Sequence, residues 1–345
     1  MAESIDILEN DILHDYPEAL NTLLIDHTTH KNIFWATSDY EHLGDGFKYE
    51  DEIKVENITG DHGNIIVPRA LKHRDIQNQR VRDMAEVFTP SWVCNAQNNL
   101  VDAAWFGRDN VFNIEVNADD GKHTWIATTE PITEFPEGKT WIDYIRDTRM
   151  EITCGEAPYL VSRYDTTTGE FIPLERRIGI LDRKLRIVSE NCHTSDEWLK
   201  KAQDAFKNTY GYEWQGDSLL LARESLLISF IEYYEAKFNV KPNLRSINYI
   251  AYIVSWNLWQ MDGLKMVVPG SCDEIYDYNL LGIPEKRECP ACKKGSATGH
   301  IGKSCLIRDW RKAKPKYCKE TSENANEYKP WQKIYFSNLL TINNH

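Results

Sequence analysis

The sequence predicts an α/β protein, a sheet with helices on both faces, followed by a C-terminal Cys/His-rich zinc-binding element. Three observations carry that expectation. Strand-like apolar runs alternate with helix-patterned segments over roughly 150–270. Four of the eight cysteines fall after residue 288. The chain has 345 residues, 41% hydrophobic and 27% charged, which is enough to build a sizeable core.

The expected elements follow in chain order. Residues 1–80 read as an acidic N-terminal region, 81–275 as the α/β domain and 276–345 as a basic Cys/His-rich element. Tyr16, Leu20, Leu23, Leu24 and His27 recur at helical spacing over 14–30. Thr89-Pro90-Ser91 is a helix start signal and predicts a helix over 91–105. Val111, Asn113, Glu115 and Asn117, then Thr124 to Thr128, alternate around Asp119-Asp120-Gly121 and predict two strands. A short helix is expected over 140–150, then a strand that ends in a turn at Glu151-Ile152-Thr153-Cys154-Gly155. Thr166–Gly169 marks a turn in a loop or hairpin over 157–175. The run Ile178–Asp182, apolar and closed by an acid, predicts a strand leading into a helix over 183–190. Trp198, Ala202, Ala205 and Phe206 predict a helix over 195–209, and Tyr212–Asp217 a short strand and turn. Leu219, Leu220, Leu226, Leu227, Phe230, Ile231 and Tyr234 predict a buried helix over 218–238. Ile250–Val254, β-branched and aromatic, predicts a strand, and Asp273–Pro284 a loop.

The formal net charge is −13, from 53 acids and 40 bases. On average that disfavours a protein that coats nucleic acid. The distribution reverses the inference. Residues 1–60 hold 14 acids and 3 bases, whereas 286–319 hold 11 bases and 2 acids, net +9, leaving −22 for everything else. A compact basic segment on an acidic chain points to a polyanion contact, here double-stranded DNA, near 286–319. No run of about 18 apolar residues exists, so no membrane span is expected. The acidic N-terminus has no signal-peptide pattern, and the expected location is cytoplasmic.

Within the basic segment, Cys289-Pro290-Ala291-Cys292 can turn two thiolates toward one Zn²⁺, and His300 with Cys305 can complete a tetrahedral set. Cys318 can replace His300. Four protein ligands leave no open position, so such a zinc would be structural.

Several short runs, in order, resemble the gamma-class amino-methyltransferases of restriction–modification systems, the family often labelled restriction subunit M. Phe88-Thr89-Pro90 is similar to that family's F-T-P element, which packs against the methionine end of S-adenosylmethionine. Glu151 to Leu160, with Gly155 in its turn, is similar to the first cofactor motif, although it has one glycine where the family has two or three. Gly179-Ile180-Leu181-Asp182 looks like the next motif, whose acid accepts the ribose hydroxyls, and Gly216-Asp217-Ser218-Leu219 like the third, whose acid accepts from the adenine amino group. The resemblance covers roughly 80–270 and implies a Rossmann-like methyltransferase sheet. It assigns Phe88, Thr89, Pro90, Glu151, Gly155, Asp182 and Asp217 to the cofactor.

The family's N-P-P-Y motif is altered. Its place reads Val254-Ser255-Trp256-Asn257-Leu258-Trp259-Gln260-Met261-Asp262, with both prolines lost. The resemblance assigns the polar catalytic role to Asn257 or Asp262 and the base-stacking role to Trp259 or Trp256. It implies methyl transfer from S-adenosylmethionine to an exocyclic amino group in DNA, adenine favoured, with a restriction or specificity subunit as partner. The departures leave a different class open: a catalytically altered chain of the same fold that serves as a DNA- or protein-binding partner. A third reading, from the −22 outside the basic segment, is an acidic phage protein that competes with DNA for host factors.

Overall fold

The computed structural model describes residues 5–310, apart from 85, 120, 274, 275 and 297, together with the strand Lys333–Tyr335. The architecture is mixed α/β with small sheets. In chain order the elements used below are helices α1 (Glu9–Asp15), α2 (Pro17–Leu24), α3 (Arg74–Met84) and α4 (Ser91–Phe106), strands β1 (Asn113–Asn117) and β2 (His123–Ala127), helix α5 (Trp141–Ile145) and strand β3 (Arg149–Glu151). There follow α6 (Ile180–Asn191), α7 (Ser195–Lys207), β4 (Thr209–Glu213), α8 (Gly216–Phe238), α9 (Leu244–Asn257) and β5 (Leu258–Gln260). The chain then forms β6 (Tyr276–Tyr278), β7 (Pro284–Lys286), α10 (Pro290–Lys294) and β8 (Leu306–Arg308).

The largest sheet is β3-β4-β5, all parallel, with Glu151 opposite Gly211 and Glu213 opposite Gln260. Parallel neighbours need long crossovers, and helices supply them. Helices α6 and α7 carry the chain from β3 to β4, and α8 and α9 carry it from β4 to β5. Helix α8 is buried on nearly every side, as its apolar sequence requires. The acidic N-terminal region is not peripheral. Leu20, Leu23, Leu24, Ile33 and Trp35 share one core with Leu219, Phe230, Ile250 and Val254.

Two expected strands are helices. Ile178–Asp182 crosses the start of α6, where the Asp182 carboxylate accepts N–H bonds from Gly179 (3.1 Å) and Ser162 (2.8 Å). An acid at the third helical position that reaches back to the cap is a helix start, not a strand end. Ile250–Val254 lies inside α9. Ile247, Ile250, Ala251 and Val254 form a buried stripe at helical spacing, and the Asn243 side chain caps the helix by accepting from the Ser246 N–H (2.9 Å). Capping and a buried face outweigh β-propensity here. The expected loop at 273–284 contains β6, which pairs antiparallel with β7.

Candidate functional site

Strands β3, β4 and β5 all end on one side of their sheet. Beyond their ends the chain keeps pairing: the Cys154 N–H donates to Tyr212 O (2.8 Å) and the Met261 N–H to Glu213 O (2.9 Å). The segments that follow the three strands wall a crevice of about 1110 Å³, together with Phe88 and Thr89. Carboxyl ends of parallel strands are where open α/β sheets take ligands.

Glu151, the last residue of β3, is on the wall and buried. Its Oε1 accepts the Tyr159 N–H at 3.4 Å, and Oε2 is buried with no hydrogen-bond partner. Burial pushes its carboxyl well above the ordinary range, and the neighbouring Glu213 adds to this against the opposing N–H groups of Tyr159 and Leu160. The turn after β3 is sharply wound, with positive φ at Thr153, Gly155 and Ala157. A Cβ on Gly155 would stand 3.3 Å from the Phe88 ring, so this glycine lets the Phe-Thr-Pro segment lie on the turn. Glu213, at the end of β4, accepts the N–H of Gly155 (2.7 Å) and that of Trp214 (2.8 Å), tying the two strand ends together. Sequence reading passed over Glu213 for Asp217. The usable signal was its place as the acid closing a strand.

The other assigned residues are placed as follows. Phe88, Thr89, Glu151, Gly155 and Asp262 line the crevice. Pro90 precedes it as the cap of α4. Asp262 is bound into its own turn, accepting the N–H of Leu264 and of Lys265, each at 3.0 Å. Asp182 is buried in the capping bonds of α6 and does not reach the crevice. Asp217 is also fully buried. It accepts from Tyr40 Oη (2.9 Å), Lys72 Nζ (3.1 Å) and Arg80 Nη1 (2.9 Å). Burial pushes its carboxyl up, but the Arg80 and Lys72 charges outweigh this and hold it well below the carboxylate range. Its lone pairs are taken, so it is an ion-pair hub rather than an adenine acceptor.

Three of the four catalytic candidates lie elsewhere. Asn257 ends α9 at the opposite, amino end of β5. Its Nδ2 donates to Phe206 O (2.9 Å) and Thr209 O (3.0 Å), and its Oδ1 accepts from Trp310 Nε1 (2.7 Å). Trp256 is stacked on His27 with ring centroids 3.8 Å apart. Trp259 is buried with Tyr212, Met261 and Cys305. Strand geometry explains the difference: Asn257 precedes a strand of only three residues, and the segment at its carboxyl end starts with the apolar Met261, so Asp262 is the first charged side chain there. Of the tryptophans among the described residues, Trp214 is the one that lines the crevice, with Phe88, Tyr49, Tyr159 and Tyr212; its Nε1 donates to Tyr49 Oη (3.1 Å).

A second cluster lies in the C-terminal element. Cys272, Cys289, Cys292 and His300 bring one ligand atom each to within 4.8 Å of one another. His300 Nδ1 stands 3.8, 3.7 and 3.4 Å from the sulfurs of Cys272, Cys289 and Cys292. Its Nε2 bonds Ser296 O at 2.9 Å, which leaves Nδ1 as the free lone pair facing the sulfurs. Burial pushes the Cys289 thiol up, but N–H groups of Cys292 and Ile301 and the His300 side chain outweigh it and hold it down at about 6. Three sulfurs and one imidazole nitrogen at this spacing can hold a zinc ion. Cys272 fills the place expected for Cys305. Cys305 is fully buried, and its thiol faces Gln260 O at 3.5 Å. Cys318 lies outside the described residues.

Of the basic segment, Lys286, Arg287, Lys293, Lys294 and Lys303 are exposed, whereas Arg308 is buried over the Trp310 ring. Among the described residues no helix is long and apolar enough to cross a membrane. No family model, curated protein or solved structure matches this chain.

Proposed function

We propose that the chain binds S-adenosylmethionine in the crevice at the ends of β3, β4 and β5 and transfers its methyl group to an exocyclic amino group in DNA, adenine being favoured. The observation that carries this reading is Glu151: a buried carboxylate oxygen on the crevice wall with no partner in the protein. Leaving such a group unsatisfied is costly, and a cationic ligand group removes that cost. Glu213, Asp262 and Glu86 also face the crevice, with Arg82 the one basic residue among its lining. A lining of this sign favours a positively charged ligand.

In this reading the ligand's ammonium charge favours the ionised form of Glu151, which gives up its proton on binding and accepts from that group. Gly155 permits close approach, and Phe88 and Thr89 close over the bound molecule. Glu213 is a positioning residue that holds the Gly155 turn against β4. The bound cofactor supplies an electrophilic methyl group. The chain's own contribution is orientation and exclusion of water around the acceptor. Trp214 takes the stacking role first given to Trp256 or Trp259. A structural zinc on Cys272, Cys289, Cys292 and His300 supports the C-terminal element, and double-stranded DNA with a restriction or specificity subunit are the partners.

One observation favours a second reading, a binding partner that keeps the fold without the chemistry. Asn257, Trp256 and Trp259 are all buried away from the crevice. Two measurements separate the readings. Calorimetry with S-adenosylmethionine should show binding that Glu151→Gln weakens by at least about tenfold, the scale of one charge-assisted hydrogen bond. Labelled cofactor should then pass its methyl group to unmodified DNA. Absence of binding removes the cofactor assignment and the enzyme reading, and binding without transfer selects the partner.

A further inference from the structure

The crevice wall beyond β5 and the Cys/His cluster lie at the two ends of one short segment. Asp262, Gly263 and Leu264 line the crevice, and the same segment runs on to the ligand Cys272. Between them the chain makes a tight turn. The Asp262 N–H donates to Val267 O (2.8 Å) and the Met266 N–H to Asp262 O (2.7 Å), with Met266 at φ +59°. A left-handed methionine is strained, and such strain persists only where the surroundings fix it. The core fixes the two flanks of the turn, since Met261 and Val268 pack with Tyr212 and Trp259. Val267 packs instead with Cys272, Cys289 and Ala291, on the Cys/His cluster.

A returning segment, which starts at the ligand His300, closes the connection. Val267 pairs with Ser304 as well as with Asp262. The Val268 N–H donates to Lys303 O (2.8 Å), and the Cys305 N–H donates to Met266 O (3.3 Å). Beside Cys272, Ser271 Oγ accepts the Lys303 N–H (3.0 Å) and donates to Val268 O (2.7 Å). A Cβ on Gly302 would meet Cys272 Sγ at 2.7 Å, so this backbone lies directly on the cluster. Val268 to Ser271, with Asp273, also wall a second cavity of about 740 Å³, which shares Tyr49 and Trp214 with the crevice. The β6–β7 hairpin separates Cys272 from Cys289, Cys292 and His300 along the chain. A metal ion on these four side chains would join the segment before the hairpin to the segments after it, and its binding energy would become local folding energy.

We propose that the Cys/His cluster is a metal-operated clamp on the crevice. Loaded, it holds the 262–267 turn as a fixed wall; stripped, it lets that wall loosen and ligand affinity fall. Its effect on affinity rests on the reading of the crevice as an S-adenosylmethionine site; its effect on the wall does not. Linkage makes the coupling reciprocal, so the factor that zinc adds to crevice affinity is the factor that the crevice ligand adds to zinc affinity.

The test compares the full-length chain loaded with zinc and the same chain stripped by a chelator and kept reduced. Hydrogen exchange at the amides of Asp262, Met266 and Val268 should be at least about tenfold faster in the stripped chain, with the amides of α8 unchanged. By calorimetry, S-adenosylmethionine should bind the loaded chain at least about fivefold more tightly, and saturating S-adenosylmethionine should raise zinc affinity by the same factor. Cys292 lines neither cavity, so Cys292→Ser should match the stripped chain through loss of the metal alone. Failure of the stripped chain to take up zinc would overturn the clamp. So would exchange over 262–268 that is the same with and without zinc, or equal S-adenosylmethionine affinity in the two forms. Zinc-dependent protection with no S-adenosylmethionine binding in either form sustains the clamp and removes the cofactor reading.

Discussion

Asp217 shows how one residue's surroundings decide its task. An acid near a strand end can accept from a ligand, but here it meets Tyr40, Lys72 and Arg80, all buried with it. Arg80 in turn bonds Asp39 (2.6 Å) and Glu86 (2.8 Å), so the hub secures the segment that leads into Phe88. Asp217→Ala would leave two buried cations without their carboxylate and should cost about 3–5 kcal/mol, read as a lower denaturant midpoint. The folded-state shift is downward, so the stability Asp217 supplies is present above its ordinary value of 3.8 and is lost as pH falls below it. Glu9 has the opposite sign. Burial first, then the charge of Asp6, pushes it up to about 8, and Glu224 beside it is fully buried with both oxygens unpartnered. Its contribution is complete below its ordinary value of 4.5 and is lost as pH rises through about 8. Glu9→Gln should therefore raise the melting temperature at pH above 8 and change it little near pH 4. An equal gain at both pH values would show that no such titration exists.

At the scale of the element, the turn after β3 is the part on which most depends. Gly155→Ala would place a Cβ 3.3 Å from Phe88 at a residue whose φ is +52°. Ring displacement and left-handed strain together should cost about 1–3 kcal/mol and weaken ligand binding in the crevice, measurable by melting and calorimetry on one preparation. Elements with a full period were legible in the sequence. Helices α7 and α8 fall where apolar spacing puts them, α4 where its Thr-Pro-Ser start signal puts it, and the β1–β2 hairpin where the alternating residues put it. The sheet that forms the crevice was harder to read. Strands β3 and β5 have three residues each, too few to show a period of two, and β5 is buried throughout. Helix α9 was misread because its β-branched residues satisfy helix spacing and strand propensity equally well, and only the Asn243 cap distinguishes them. Of the candidate site, Glu151, Gly155 and Phe88 could be found because each is next to a turn or a helix start. Glu213 is marked in the sequence only as the acid closing a strand, and Trp214 is not marked at all, because facing the crevice depends on β4 lying between two strands far away in sequence.

For the whole molecule, the Cys/His cluster and the main core are packed separately. The large core runs from Ile12 to Leu258 and contains none of the four ligands. Cys272 and Cys289 instead pack in a small cluster with Val267 and Ala291. Small clusters of this size rarely order a chain segment alone, and a zinc ion on these four side chains would supply what the apolar contacts do not. Cys272 escaped sequence reading for the same reason: the hairpin separates it from Cys289, whereas Cys305 is nearer the ligand pair along the basic segment but packs under Trp259. Chelation should accordingly act locally. Elemental analysis of the purified chain should find zinc, and stripping it should open the region 272–303 to proteolysis. The main thermal transition should move by less than about 3 °C, since the buried area of the large core is untouched. Cys272→Ser should reproduce this pattern and Cys305→Ser should not. If Cys305→Ser releases the metal while Cys272→Ser retains it, the ligand set is wrong. A main transition that collapses on chelation would show that the metal holds the whole fold and not the hairpin's base alone.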